Sequence, residues 1–432
     1  MKYPRKRGIM DEKIIKRYPL GNPTRKWRQD NFIISTFNGI AKNIVKGFQI
    51  LKEAHFNLAE MGWVPIERVD DTIPAAERVG IDILLQDWRY FGGFQDSVNN
   101  EIVDGEIEKC IARCKASNRV LGYYVWDEPY HLPDLQRAAS QTDIMERLDE
   151  ERLPFSVALP SYNEFYQYGN DMYDEYLKNY VEIINPPVFS LDYYPFYFYK
   201  PNDEKQLDEC PLLKDLFLLR KHSLEKHTPM WFYYQGKGNP DYEPITYEKM
   251  AVQAYLALLH GAKALQHFSA INAIFDDETA EKLPAFEDTK RFNGEVVPWG
   301  NTLMALTSTG IFHDQAVLAS DPKKANYTED FSTSALFDGT LPARISVGEL
   351  TDGEGNRYVL ILNRDYLERR AFSLPLKNAS HVYEVSKKDG GQVLIERGAT
   401  ALTGDLAPGE CVFLRLQDAS QKPYLIRYEL EK

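Results

Sequence analysis

The sequence predicts an α/β chain: a (β/α)8 barrel of the TIM type followed by a C-terminal all-β sandwich domain. Three observations carry this expectation. Eight short apolar runs alternate with longer amphipathic runs over the first three quarters of the 432 residues. These repeats fill roughly 280 residues, the size of a closed barrel. From about Ala316 the texture changes to short alternating runs separated by turn residues.

Taken in order, residues 1–30 form a basic lead-in that includes Lys2, Arg5, Lys6, Arg7, Lys13, Lys16, Arg17, Arg25, Lys26 and Arg28. We expect it to be exposed and to pack on the main domain. The barrel follows over 31–315. Its strands are read at Phe32–Phe37, Phe56–Trp63, Asp82–Trp88, Val120–Trp126, Phe155–Leu159, Val188–Tyr193, Met230–Tyr234 and Leu265–Ser269. Helical periodicity falls at Ile44–Ala54, Glu106–Ala116, Leu135–Glu150, Met172–Ile184, Leu212–His227 and Tyr247–His260, with a last helix at Val297–Ser308. No Gly-x-Gly-x-x-Gly follows the first strand, which argues against an open dinucleotide-binding sheet. The sandwich is expected over 316–432, with strands at Ala343–Val347, Tyr358–Asn363, Ala371–Pro375, His381–Val385, Gln392–Ile395 and Glu410–Leu416. Asp352-Gly353, Asp389-Gly390-Gly391 and Pro408-Gly409 supply turns between them. This module carries no acid constellation and reads as accessory.

Composition excludes several classes of function. The formal charge of −13 opposes nucleic-acid binding, which needs a basic footprint. No run is long and apolar enough to cross a membrane, and the lead-in lacks the apolar core of a signal peptide. A soluble chain is expected, cytoplasmic unless a signal was removed before residue 1. Cys110, Cys114, Cys210 and Cys411 make no zinc pattern, and no His-Glu-x-x-His occurs, so neither a metal nor an organic cofactor is expected. Oligomeric state leaves no trace in the sequence. The 27 Tyr, 22 Phe and 6 Trp suit surfaces that stack on flat ligands such as sugar rings, although large cores also consume aromatics.

Barrel enzymes place their chemistry at the C-terminal ends of the strands, so those ends hold the candidate residues. The fourth strand ends in Trp126-Asp127-Glu128-Pro129, where Pro129 cannot extend a ladder. Paired acids at the end of a buried strand are costly unless they serve a purpose, although an acid there can also cap the next helix. Glu60, Asp87, Glu128 and Asp192 fall at comparable places around one rim, interleaved with Trp63, Trp88, Trp126 and Tyr194. Aromatic faces take the C–H faces of a sugar while acids accept its hydroxyls or supply a proton. Glycosidic bonds are cut by such a carboxyl pair. Glu128 is the expected proton donor, since apolar Trp126 and the like charge of Asp127 both raise its proton affinity. The expected partner is therefore a carbohydrate.

Two stretches resemble clan A (β/α)8 glycoside hydrolases, the clan that includes the family 42 β-galactosidases. Gly122–Pro129 is similar to the strand-four motif in which Asn-Glu-Pro or Asp-Glu-Pro bears the acid/base. Ala254–Ser269 is similar to the helix-seven to strand-eight passage of such barrels. The resemblance covers about residues 31 to 315, and an appended β-sandwich is common among these enzymes. It implies Glu128 as acid/base, with Asp127 where Asn is more usual. It also implies a Glu nucleophile at the end of strand seven, where this chain has Gln235, and an amide cannot attack an anomeric carbon. Three readings stay open. Asp192 or Glu60 serves as the second carboxylate. Alternatively, Asp127-Glu128 works as in substrate-assisted hexosaminidases, with Tyr194 holding the acetamide. In the third reading the barrel binds carbohydrate without turning it over. Asp87, Trp88, Trp126 and Gln235 complete the expected binding residues.

Overall fold

The computed structural model describes residues 10–39, 41–61, 68–86, 106–161, 172–196, 212–238, 245–314 and 327–431. A leading strand β1 (Asp11–Arg17) precedes the barrel strands β2 (Ile33–Thr36), β3 (Leu58–Met61), β4 (Asp82–Leu85), β5 (Val120–Asp127), β6 (Leu153–Ala158), β7 (Phe189–Tyr193), β8 (Met230–Gln235) and β9 (Ala264–Phe268). All eight barrel strands pair in parallel in chain order, and β2 closes the ring against β9 with Ile33 opposite Ala264. The fold is therefore a TIM barrel.

Helices α1 (Ile44–Glu53), α2 (Val69–Val79), α3 (Glu106–Lys115), α4 (Leu132–Leu148), α5 (Tyr173–Ile184), α6 (Leu212–Lys226), α7 (Tyr247–Leu259) and α8 (Ala285–Val296) follow the strands in turn. Two of them escaped the sequence reading. α2 carries Asp70 and Asp71 in its first turn and Pro74 inside it, which hide its periodicity. α8 is rich in charge and buries only one stripe, Phe286, Thr289, Phe292, Asn293 and Val296. The helix expected at Val297–Ser308 divides into a 3-10 turn at Val297–Trp299, a short α9 (Gly300–Ala305), and the start of a new strand.

Alternation along the barrel strands sorts their side chains. Ile33, Leu58, Leu84, Tyr124, Phe155, Val157, Trp231, Tyr233 and Ala264 fill the barrel interior. Their neighbours, such as Ile34, Ala59, Ile83, Tyr123 and Phe232, pack against the helices. Gln29 closes the floor, its amide oxygen accepting from Trp231 Nε1 at 2.9 Å.

The new strand, β10 (Thr307–His313), lies within the stretch that the sequence reading gave to the barrel, yet it pairs with the C-terminal sheet. That antiparallel sheet adds β11 (Ile345–Thr351), β12 (Arg357–Asn363), β13 (Arg370–Val385), β14 (Gln392–Leu406) and β15 (Cys411–Asp418), in the order β10-β11-β12-β15-β13-β14. The runs at Ala371–Pro375 and His381–Val385 are two halves of β13, divided by register shifts between Pro375 and Val382. Only the second half pairs with β15. The first half brings Phe372 and Leu374 onto the cluster formed by Val359 and Ile361, which makes a second layer. The opposite face, with Tyr358, Leu360 and Leu362, joins the barrel's own helical core. A last strand, β16 (Tyr424–Leu430), pairs in parallel with β1, so the basic lead-in is tied down by the far end of the chain.

Candidate active site

Strand β5 departs from regular pleating at two places. Its register slips against β4 between Ile83 and Leu84, and against β6 between Tyr124 and Trp126. The second slip inserts Val125 as an extra residue, a β-bulge of the kind that re-aims side chains. Val125 and Trp126 both face the helical core, and Tyr124 and Asp127 both face the barrel interior. There the Tyr124 hydroxyl donates to Asp127 Oδ1 at 2.8 Å.

Glu128 then takes a left-handed backbone conformation, φ 49°. Such a conformation costs a side-chain-bearing residue on the order of 1 kcal/mol or more, and it is typical of functional sites. Its N–H donates to Val157 C=O at 3.2 Å, and its carboxyl lies near enough to Asp192 and Asp127 to feel both charges. The acid that serves the following helix is Asp134, which accepts from the backbone of His131, so neither Asp127 nor Glu128 is the capping residue of α4.

Asp192 occupies an inward position of β7 and is 6% exposed. Tyr194 lies beside it, and its Oδ1 has no hydrogen-bond partner among the described residues. Asp127 and Glu128 keep some contact with solvent although they lie deep in the mouth. Three carboxyls so placed cannot all ionise cheaply. Burial first, then the charges of Asp192 and Asp127, hold the Glu128 carboxyl well above the usual carboxylate range. Burial and then the Asp127 charge raise Asp192 as well. Carboxyls so close lose their protons as a pair rather than one by one, and both are pushed toward the protonated form.

Aromatic rings form one wall. Tyr194 stacks on Phe268 with centroids 4.4 Å apart, and Phe268 stacks on Phe37 at 5.8 Å. Phe37 in turn leans on Tyr124 and Tyr233. Phe37, Tyr124 and Phe268 were missed in the sequence because an aromatic inside a strand reads as core; only their inward parity at strand ends could have marked them.

The other expected residues separate. Glu60 is fully buried beneath the mouth, where it accepts from Ser35 Oγ at 2.5 Å, from Gln266 Nε2 at 2.8 Å and from the Tyr233 hydroxyl. Burial raises its pKa to about 6, and the three donors pull against that shift. Trp126 is buried against the helices and does not face the mouth. Gln235 is buried and committed to backbone: its Oε1 accepts from Phe196 N–H at 2.8 Å, and its Nε2 donates to Lys237 C=O at 3.0 Å. Asp87 and Trp88 lie outside the described residues. Asp127, Glu128, Asp192 and Tyr194 thus come together, and Glu60, Trp126 and Gln235 take supporting positions around them.

Among the described residues no group of three or more His, Cys, Asp or Glu side chains could hold a metal ion. No described helix is long and apolar enough to cross a membrane.

No family model matches the chain, and no curated protein matches it. Solved structures do. A protein assigned as an α-galactosidase/melibiase from Bacteroides fragilis is 11% identical, with 91% of this chain and 80% of that chain covered at a TM-score of 0.50. A family 5 glycoside hydrolase from Bacteroides vulgatus is 11% identical, with 93% and 94% covered and a TM-score of 0.46. The family 51 arabinofuranosidase from Xanthomonas axonopodis is 10% identical, with 92% and 98% covered and a TM-score of 0.46. At such identities the likeness speaks to the fold alone.

Proposed function

We propose that this chain is a glycoside hydrolase that cleaves an O-glycosidic bond in an oligo- or polysaccharide, with Glu128 as general acid/base. The observation that carries the reading is the grouping of Glu128, Asp192 and Asp127 beside an aromatic wall at the C-terminal mouth of the barrel, where burial and like charge push Glu128 and Asp192 toward the protonated form. Departure of a sugar leaving group requires a carboxylic acid that is still protonated at neutral pH. Glu128 fits that need, and the clan resemblance of Gly122–Pro129 assigns it the same part.

Glu128 is the proton donor, and its proton passes to the bound glycosidic oxygen as the bond to the anomeric carbon breaks. Asp192, left anionic, is the second carboxylate and serves as base or nucleophile. Tyr194 and Phe268, both partly exposed, offer apolar faces to a sugar ring, with buried Phe37 behind Phe268.

The adjacent Asp127 and Glu128, both turned into one mouth, favour a second reading, in which the substrate's own 2-acetamido group attacks and Asp127-Glu128 supply orientation and acid. In that reading no enzymatic nucleophile is needed, and Glu60, saturated with donors, is not available as one.

A panel of aryl glycosides and oligosaccharides, run on the wild type beside Glu128→Gln, tests the reading. Turnover of natural linkages should fall by about two to four orders of magnitude in Glu128→Gln, and aryl leaving groups that need no proton should suffer far less. Activity confined to 2-acetamido sugars would select the second reading. Equal turnover in both proteins would remove Glu128 from the mechanism. Oligosaccharide binding without release of sugar would leave a carbohydrate-binding barrel.

A further inference from the structure

The left-handed turn at Glu128 needs support on both sides. On the amino side it has the 3.2 Å bond from its own N–H to Val157 C=O. The β5–β6 ladder ends at Asp127 opposite Val157, so sheet pairing offers nothing on the carboxyl side. Pro129 has no N–H to contribute.

Helix α5 supplies the missing bond. The Tyr176 hydroxyl donates to Pro129 C=O at 2.8 Å and accepts from Leu159 N–H at 2.9 Å. One buried oxygen therefore ties the residue after Glu128 to the end of β6, where the two strands have parted. Tyr173, one turn earlier and stacked on Tyr176 at 5.8 Å, donates to Leu159 C=O at 2.7 Å. Tyr173 thus braces β6 alone, and Tyr176 bridges β6 to the turn that carries Glu128. Both rings are almost completely buried. A hydroxyl in that setting bonds or is costly, and this one satisfies two backbone groups at once.

We infer that Tyr176 is a positioning residue for Glu128: its hydroxyl fixes the turn that holds the Glu128 carboxyl against Asp192. The inference rests on the proposed role of Glu128 as the acid. Tyr176 touches no reacting atom, and its effect passes through the Pro129 carbonyl. The groups that face Glu128 are Asp127 on its own strand, Asp192 from β7 and Tyr173 from α5, with Tyr194 beside Asp192 and buried Asp215 of α6 behind Tyr173. The hydroxyl of Tyr176 is bonded to the Glu128-bearing turn from the helical side.

The test compares Tyr176→Phe with Tyr173→Phe. Each removes one buried hydroxyl from the same helix, so each should lower Tm. Tyr176→Phe should reduce kcat between about tenfold and about a hundredfold with little change in KM, because the acid is misplaced rather than the substrate pocket. Its alkaline pH limb should move to lower pH as Glu128 swings away from Asp192. Tyr173→Phe should leave that limb in place. The second readout is the titration of the Glu128 side-chain carboxyl by NMR in protein carrying 13C-labelled Glu, its signal assigned by loss in Glu128→Gln. Glu128 should release its proton at lower pH in Tyr176→Phe than in the wild type. A titration and limb that coincide with the wild type, or that Tyr173→Phe displaces equally, would overturn the inference. If no glycoside is turned over by any of these proteins, the function fails, and the NMR titration alone still decides whether Tyr176 positions Glu128.

Discussion

Replacing Asp127 by Asn isolates the electrostatics of the mouth from its shape. Asn keeps an acceptor for the Tyr124 hydroxyl, now 2.8 Å from Asp127 Oδ1, so the change removes a charge without opening a hole. That charge pushes up the proton affinity of Glu128, Asp192 and Glu60 together. Two unit charges about 4 Å apart repel by about 4 kcal/mol at an effective dielectric constant near 20, which bounds the effect from above. Solvent still reaches both Asp127 and Glu128, and burial and Asp192 stand ahead of Asp127 as causes of the Glu128 shift. A loss of about 1.4 kcal/mol of repulsion, equivalent to about one pH unit, is the working expectation. The sign follows directly: the acid works only while protonated, so a weaker upward push brings the fall in activity to lower pH. The pH dependence of kcat/KM for an oligosaccharide, whose leaving group needs the proton, measured for both proteins from about pH 4 to about pH 9, reads this limb for the free enzyme. An alkaline limb that stays in place, or moves upward, would refute the claim that Asp127 holds the proton on Glu128.

Two further outcomes follow from the supporting residues. Glu60→Gln should cost about 1–3 kcal/mol at neutral pH, because an amide turns donor hydrogens toward Ser35, Tyr233 and Gln266, all donors already. Glu60 rises from 4.5 to about 6 on folding, so its protonation stabilises the fold fully below 4.5 and the contribution is lost as pH rises through about 6. The stability gap between wild type and variant, read by urea melts, should therefore narrow by about 2 kcal/mol across that window; a gap that widens would contradict the sign. Gln235→Glu places a Glu at the end of strand seven but should create no better enzyme. The new carboxylate would face Lys237 C=O where the amide now donates at 3.0 Å, and a loss of about 1–3 kcal/mol is expected in thermal melts. A rise in turnover in that variant would show that the position is catalytic after all.

The parts of this molecule that the sequence made legible are those where period and burial agree. All eight barrel strands were readable because each is a short apolar run between turn residues, and the acids at their ends were readable because charge is rare in such places. Helices α2 and α8 were not, since a proline and a dense charge pattern mask a narrow buried stripe. The C-terminal hairpin was read as separate strands because its bends fall where polar residues interrupt the alternation. Tyr173 and Tyr176 looked like core at helical spacing, and nothing in their spacing says that their hydroxyls reach the ends of β5 and β6.

The site itself shows why direction is harder to read than position. Strict alternation from inward-facing Tyr124 would send Trp126 into the mouth and Asp127 toward the helices. The bulge at Val125 reverses both, burying Trp126 in the helical core and turning Asp127 inward. A regular strand would then carry Glu128 outward, opposite to Asp127. The left-handed backbone at Glu128 prevents that and brings its carboxyl to Asp192. Two adjacent acids can therefore face one cavity only because the strand breaks its period twice in succession, at Val125 and at Glu128. Each break forfeits ladder pairing, and the Tyr124 and Tyr176 hydroxyls supply bonds on either side of the pair. The irregular backbone is thus what converts an ordinary strand end into a place where three carboxyls share too few charges, the condition that general acid chemistry requires.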